Sequence, residues 1–326
     1  MHKPVKNPSI IAWEITRRCE LKCKHCRGAA RDCDYVDEFS TEECFKTIDA
    51  LAATSTPMII LTGGEPLMRD DIFEVARYAT EQGCRVVFAT CGHLLTPKIA
   101  AQLKASGVMA VSISLDAATA EAHNAFRGVE DAYEKTLAGL ELLKDAGIPF
   151  QVNTTVSKLN VDELPQILEK AIELGAATMD FFFLVPTGRG SEIAELALDP
   201  AARDRALEWI AGQAKTAPIR VKTTCAPQYK IFLTADLCTP NSEHSRNVPF
   251  RGCMGGRGFV FISHTGILQT CGFLDLPCGD LREANFDFEK LYLGSEVFKN
   301  MRTLNPFGGC PARAHAQCGS YTEPEK

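Results

Sequence analysis

The sequence predicts an α/β fold: a partial (βα)6 barrel of parallel strands followed by a small cysteine-rich C-terminal domain. Three observations carry the prediction. From residue 10 to 184, short β-branched runs alternate with amphipathic helical patterns, the signature of repeated βα units. At Pro186-Thr187-Gly188-Arg189-Gly190 the alternation stops. Beyond it the chain turns irregular, and seven of its 14 cysteines (Cys225, Cys238, Cys253, Cys271, Cys278, Cys310 and Cys318) lie there.

Taken in order, strands are expected over 10–16, 58–62, 85–90, 110–115, 150–156 and 178–185, and helices over 41–53, 69–82, 96–106, 131–146 and 161–174. Gly83, Gly107, Gly147 and Gly175 stand where a helix ends in a left-handed cap. A helix over 200–216 follows the loop, and 258–271 reads as a hairpin turning at His264-Thr265-Gly266. The expected domains are 1–190, the barrel, and 191–326, a linker helix with the cysteine-rich unit. In such sheets ligands sit at the carboxyl ends of the strands, so chemistry is sought there first.

Composition narrows the function classes. Hydrophobic content of 45%, charged content of 23% and a net charge of -6 leave no broad basic field for nucleic acid or anionic lipid. No stretch approaches the roughly 20 apolar residues of a membrane span, and MHKPVKNPSII carries no signal-like apolar run, so a cytoplasmic protein is expected. In a reducing compartment, abundant cysteines more often bind metal or react than form disulfides. Cys33, Cys44, Cys84 and Cys91 read as ordinary buried or loop thiols.

Two motifs stand out. Cys19, Cys23 and Cys26, in Cys-x3-Cys-x2-Cys spacing after the first strand, can hold three irons of a [4Fe–4S] cluster and leave the fourth iron open. Zinc competes, because His25 lies among them and Cys3His sites are common. After the second strand, Gly63 and Gly64 would let the backbone approach a ligand closely, Glu65 offers an anchoring carboxylate, and Pro66 ends the strand.

Together these motifs resemble the radical S-adenosylmethionine (SAM) superfamily, over roughly residues 9–186. The resemblance implies that SAM chelates the open iron through its amino and carboxylate groups and that the reduced cluster cleaves it to a 5′-deoxyadenosyl radical. It assigns the cluster to Cys19, Cys23 and Cys26, and the methionyl amino group to Gly63, Gly64 and Glu65. It puts Ser114 near the ribose and carboxylate, Arg127 on the carboxylate, and Asn153 at the ribose. Thr90-Cys91-Gly92 departs from the Thr-Asn-Gly of many relatives.

The C-terminal cysteines resemble the SPASM or twitch extensions of that superfamily, which hold further clusters. A dense Cys-x2-Cys-x5-Cys segment is missing around 304–310, so one auxiliary [4Fe–4S] cluster is expected, on Cys253, Cys271, Cys310 and, as fourth ligand, Cys225, with Cys318 as substitute. Structural zinc is the competing reading there.

The stretches around Trp13, Phe181–Arg189, Cys225 and Cys253 resemble the haem-pathway branch, most of all its haem synthases. That implies oxidative decarboxylation of two propionates of iron-coproporphyrin III to vinyl groups, with the auxiliary cluster taking the surplus electron. An iron-porphyrin substrate, an electron donor such as ferredoxin or flavodoxin, and a monomer are expected. Arg17, Arg27 and Arg189 are candidate cations for the propionates, and Arg18, Lys22 and Lys24 add charge to the loop. Of Phe181, Phe182 and Phe183, at least two are expected in the core. His25, His264 and His315 remain open as axial ligands of the porphyrin iron. The alternatives are the enzyme that makes iron-coproporphyrin III from didecarboxysiroheme, a haem d1 pathway enzyme, a peptide-modifying SPASM enzyme, and a non-catalytic Fe–S carrier.

Overall fold

The computed structural model describes residues 7–234 and 252–323. Seven parallel strands run β1 (Ile10–Thr16), β2 (Met58–Gly63), β3 (Arg85–Thr90), β4 (Ala110–Ser114), β5 (Phe150–Val156), β6 (Thr178–Phe183) and β7 (Arg220–Thr224). Between them lie α1 (Thr41–Thr54), α2 (Ile72–Glu81), α3 (Pro97–Ala105), α4 (Ala120–Arg127), α5 (Ala132–Asp145), α6 (Leu164–Glu173) and α7 (Pro200–Thr216). The C-terminal part adds α8 (Tyr229–Thr234), β8 (Phe259–Ile262), β9 (Ile267–Gln269), β10 (Gly279–Asp280), α9 (Phe288–Gly294), α10 (Glu296–Thr303) and α11 (Pro311–Cys318). No helix among the described residues is long and apolar enough to cross a membrane.

Strand order in the sheet is β10-β9-β8-β1-β2-β3-β4-β5-β6-β7. From β1 to β7, sequence neighbours are sheet neighbours, so right-handed crossovers place their helices on one face. The other face stays bare, and it is the face a barrel-like sheet curls around. Side chains divide accordingly. Along β5, Phe150, Val152, Thr154 and Val156 are buried while Gln151, Asn153 and Thr155 are half-buried. Ile11, Trp13 and Ile15 of β1 share one core with Ile48 and Leu51 of α1 and with Leu140 and Leu143 of α5. Truncating one of these fully buried leucines to alanine costs about 2–5 kcal/mol.

The expected strands match to within two residues, and the four helix-ending glycines take positive φ. Phe181 and Phe183 pack in the helix-covered core, and Phe182 faces the other way. Helix α2 begins three residues later than expected, because Pro66–Met68 form a 3-10 turn first. Helix α4 was not expected at all. Its signals were present: the Thr119 hydroxyl caps the N-terminus by accepting from Ala122 N–H, and Gly128 ends it at φ +75°. A side chain there would put its Cβ 2.8 Å from the Lys22 carbonyl, so glycine lets α4 end against the cysteine loop.

The expected boundary at 190 does not interrupt the sheet. β7 pairs with β6 on one side, and β8 pairs in parallel with β1 on the other, Ile10 opposite Phe259. The expected hairpin is β8–β9, antiparallel as foreseen.

Candidate active site

The cysteine loop leaves the end of β1 with a small core of its own, Leu21 and Ala30 packed with Cys19 and Cys23, and its neighbours hold it in place. Lys22 and Lys24 N–H donate to the Arg127 and Phe126 carbonyls at the end of α4, and Cys19 N–H to Arg31 O. Arg189, expected as a substrate cation, instead clamps this loop. Its Nε donates to Cys23 O at 2.9 Å, its Nη1 to Ala30 O at 2.7 Å, and its backbone N–H to Cys26 O. Each sulfur accepts one N–H: Cys19 from Leu21 and Cys26 from Ala30, both at 3.4 Å, and Cys23 from Arg127 Nη1 at 3.6 Å. Burial pushes the Cys19 thiol up to about 12 and raises that of Cys23. Such thiols lose their protons only to a metal, and the N–H donors already aimed at them suit the resulting thiolates.

Spacing separates cluster from zinc. A tetrahedral zinc with bonds of about 2.3 Å brings its sulfurs to about 3.8 Å of one another. Among the described residues, the one group of three or more His, Cys, Asp or Glu donor atoms lying within 4.8 Å of one another is Glu20, Cys91 and His93. The Cys19, Cys23 and Cys26 sulfurs do not all lie within that limit of one another, a spacing that suits three thiols each on its own iron.

Gly63 and Gly64 are glycines for a different reason from the one expected. A Cβ on Gly63 would lie 2.0 Å from Thr16 O, and one on Gly64 2.2 Å from Arg18 O. The close approach is to the chain itself, where Gly64 and Glu65 N–H donate to the Thr16 and Arg18 carbonyls, both at 2.8 Å. The Glu65 carboxylate is fully buried and accepts from Thr90 Oγ1 and Cys91 N–H, at 2.8 Å each, and from Leu67 N–H at 3.1 Å. Burial raises its pKa. Glu65 thus ties the end of β2 to the end of β3.

Arg127 is also reassigned. Expected to meet a ligand carboxylate, its Nη2 lies 2.5 Å from Asp116 Oδ2, its Nη1 faces Cys23 Sγ, and its Nε is buried without a partner. Burial alone would raise the pKa of Asp116, yet the Arg127 guanidinium holds it below the ordinary carboxylate value. Ser114 and Asn153 are register partners on β4 and β5, and the row continues through Asp180 on β6 to Lys222 on β7. Asn153 Oδ1 accepts from Gln151 at 2.6 Å, while Asp180 accepts from Lys222 and Thr224.

Sequence reasoning missed Glu14. Fully buried on β1, it receives Arg17 Nη2 at 2.9 Å, Arg27 Nη2 at 3.0 Å and His264 Nδ1 at 3.1 Å. Burial would raise its pKa, but Arg27, His264 and Arg17 outweigh that and hold it well below the usual range. One carboxylate against two guanidiniums leaves a positive charge over. Arg27 also stacks on Phe261 at 4.5 Å, and Tyr35 meets the His264 ring edge-on at 5.5 Å. The signal was the spacing of Glu14 and Arg17 across the turn out of β1, which gave no hint of the partner 250 residues away. His25, by contrast, is half-buried, stacked on Phe126 at 4.4 Å, and desolvation lowers its pKa to about 4, which keeps it neutral.

The C-terminal thiols gather from four segments. Cys225, Cys253, Cys271 and Cys310 pack together with Val185, Leu274 and Met301. A hydrogen bond with Cys310 and burial raise the Cys225 thiol well above its ordinary value; burial and the nearby Cys310 push Cys253 to about 11 and Cys271 to about 12. Cys225 takes φ +61°, a strained conformation for a non-glycine residue that turns its thiol toward the others. Buried Arg313 donates to the Cys225, Phe183 and Leu184 carbonyls, as Arg189 does around the first loop. Cys318 lies exposed at the end of α11, bonded to Ala314 O, and Cys278 lies in the main core; Cys238 falls outside the described residues.

A loop of three thiols short of a fourth ligand, a second nest of four, and a parallel sheet with its helices on one face define an iron–sulfur enzyme of the barrel type. Residues 13–171 match the family model described as "Radical SAM superfamily". The chain is 43% identical to the "AdoMet-dependent heme synthase" of Methanosarcina barkeri (strain Fusaro / DSM 804), over 98% of this chain and 95% of that one. With the protein of the same name from Nitratidesulfovibrio vulgaris, identity is 40% over 97% and 90%. Among solved structures, Streptococcus suis SuiB bound to precursor peptide SuiA superposes with a TM-score of 0.76 at 15% identity, covering 98% of this chain and 75% of that one, a likeness of fold. The chain belongs to the radical SAM superfamily and is a radical SAM enzyme, whose family cofactors are a [4Fe–4S] cluster and SAM.

Proposed function

We propose that the chain is a haem synthase, converting two propionates of iron-coproporphyrin III to vinyl groups by oxidative decarboxylation. The relatives named AdoMet-dependent heme synthase, aligned nearly end to end, support the class. The observation that carries the reading is the Glu14 cluster. Two arginines with a net positive charge, an aromatic face at Phe261 and a carboxylate-held histidine meet there, the features an anionic iron-porphyrin calls for. Arg27 also acts electrostatically on Cys271, so the cluster lies between the two thiol sets.

Cys19, Cys23 and Cys26 would hold the SAM cluster, and Cys225, Cys253, Cys271 and Cys310 one auxiliary [4Fe–4S] cluster. When bound, the first cluster and SAM supply the radical that removes a hydrogen atom. In each turnover a propionate loses that hydrogen from its β-carbon, the bond to the carboxylate breaks to release CO2, a vinyl group forms, and one electron leaves. A cluster held by Cys225, Cys253, Cys271 and Cys310 would give that electron an exit. Arg17 and Arg27 bind carboxylates of the substrate. Gly63, Gly64, Glu65, Ser114 and Asn153 shape the SAM side of the bare face, with Glu65 positioning rather than contacting.

Of the three candidate histidines, His264 is favoured as axial ligand to the porphyrin iron. Ionised Glu14 takes the Nδ1 proton, which leaves Nε2 as the lone-pair nitrogen, the arrangement that orients metal-binding imidazoles. We also infer a monomer in the cytoplasm, reduced by a ferredoxin or flavodoxin. Anaerobic reconstitution with SAM, dithionite and iron-coproporphyrin III tests the reading. Haem is expected, with one 5′-deoxyadenosine per vinyl group; 5′-deoxyadenosine without vinyl product overturns the substrate while keeping the family.

A further inference from the structure

A group of metal-type donors next to the first thiol set is used by neither proposed cluster. Glu20, Cys91 and His93 each present one ligand atom, and the three lie within 4.8 Å of one another. The His93 side chain is 2% exposed, with Nδ1 3.6 Å from Glu20 Oε1. His93 Nε2 and Glu20 Oε1 are both buried without a hydrogen-bond partner. Each such orphan is a desolvated polar atom whose lost hydrogen bond to water a bound cation would replace. An imidazole and a carboxylate oxygen left without hydrogen bonds 3.6 Å apart, with a thiol that also bonds Glu65 within 4.8 Å of both, bring three donors together.

We propose that Glu20, Cys91 and His93 bind a zinc ion, distinct from either iron–sulfur cluster. Thiolate, imidazole and carboxylate together form the borderline ligand set zinc prefers. Bonds of about 2.0–2.3 Å require ligand atoms about 3.3–3.8 Å apart, so atoms that lie within 4.8 Å of one another need close by at most about 1.5 Å. The Cys91 thiol proton leaves to solvent as the Zn–S bond forms. Thiolate and carboxylate then balance the ion's two charges, and water completes the tetrahedron from the Glu20 side, whose side chain is 34% exposed.

The placement gives the ion a role. Glu20 follows Cys19 in the cluster loop, Cys91 N–H holds Glu65 at the end of β2, and His93 lies in the turn between β3 and α3. One ion here staples the loop after β1 to the loop after β3, and the Cys91 N–H bond to Glu65 extends the link to the end of β2. The proposal does not depend on the porphyrin reading.

The test uses holoenzyme with its clusters in place, stripped of loose metal and dialysed against Zn2+. Wild type is expected to retain one zinc per chain, Cys91→Ser and His93→Ala none, and Glu20→Gln clearly less than one, all with unchanged iron and sulfide. In parallel, Co2+ should give a thiolate-to-cobalt charge-transfer band that Cys91→Ser abolishes and Glu20→Gln, the mildest change to the fold, shifts or weakens. Equal zinc in wild type and all three variants overturns the proposal. So does a fall in iron on Cys91→Ser, which would make Cys91 part of the SAM cluster.

Discussion

The two thiol sets solve opposite problems. Cys19, Cys23 and Cys26 come from eight consecutive residues, whereas Cys225, Cys253, Cys271 and Cys310 come from separate segments brought together by the fold. The first set is one ligand short, so in the proposed scheme a cofactor can complete it and react. The second is complete and suits an electron store. Each is braced by an arginine that gathers nearby carbonyls, half-buried Arg189 on one side and buried Arg313 on the other. A guanidinium is well matched to this task, because its fixed fork of donors satisfies several carbonyls at once and adds positive charge beside thiolates.

Removing one thiol from each set breaks the comparison most severely. Cys23→Ala is expected to reduce SAM cleavage to background while the second set keeps its iron. Cys310→Ala should leave 5′-deoxyadenosine formation measurable but stop vinyl product, with iron per chain falling by one cluster. If the full iron content survives Cys310→Ala, the four-thiol assignment fails.

Next in size is Arg127→Met, which strands Asp116 as a buried charge and should cost about 3–5 kcal/mol. The urea midpoint measured anaerobically reads this loss, and adding Asp116→Leu should recover most of it, because the penalty lies in the unpaired partner. The two clamps sharpen the comparison further. Arg189→Met should speed chelator removal of the first cluster, with metal affinity down about 10–100-fold, and leave the second unaffected, while Arg313→Met does the reverse. A mutation that loosens both clusters equally would mean the two sites are coupled through the sheet.

The smallest expected effect is on pH. His123 accepts a hydrogen bond from Asp116 N–H through Nδ1, its Nε2 is buried without a partner, and burial lowers its pKa to about 3. The native ring stays neutral where an unfolded one, with a pKa of about 6.5, takes a proton. The unfolded state therefore binds more protons below that value, and stability falls as pH drops from about 6.5 toward 3. At pH 5.5 this residue should account for roughly 1 kcal/mol, and His123→Gln should flatten that part of the profile.

Much of the fold was legible because its signals are local: β-branched runs, glycine stops and the spacing of a single loop. Helix α4 escaped because its capping residues flank an eight-residue segment of low apolar content, AEAHNAFR, whose burial comes from contact with the cysteine loop. The site divides in the same way. Cys19, Cys23 and Cys26 could be read from spacing alone. The true partners of Arg127, Arg189 and Gly64 could not, since each is fixed by a contact with a distant segment. Glu14 shows this most clearly, being half of an ion cluster whose histidine comes from the C-terminal hairpin.

The pairing of β8 with β1 bears on how the chain is made. Ser9 hydrogen-bonds Gly258, 249 residues later, so the outer edge of β1 has no strand beside it until nearly four-fifths of the chain has left the ribosome. Until then the strand that leads into the cysteine loop presents unpaired backbone, an invitation to wrong partners that must be shielded. Closing so long a loop is also slow. The His264 contact to Glu14, which the same hairpin carries, therefore also comes late in synthesis.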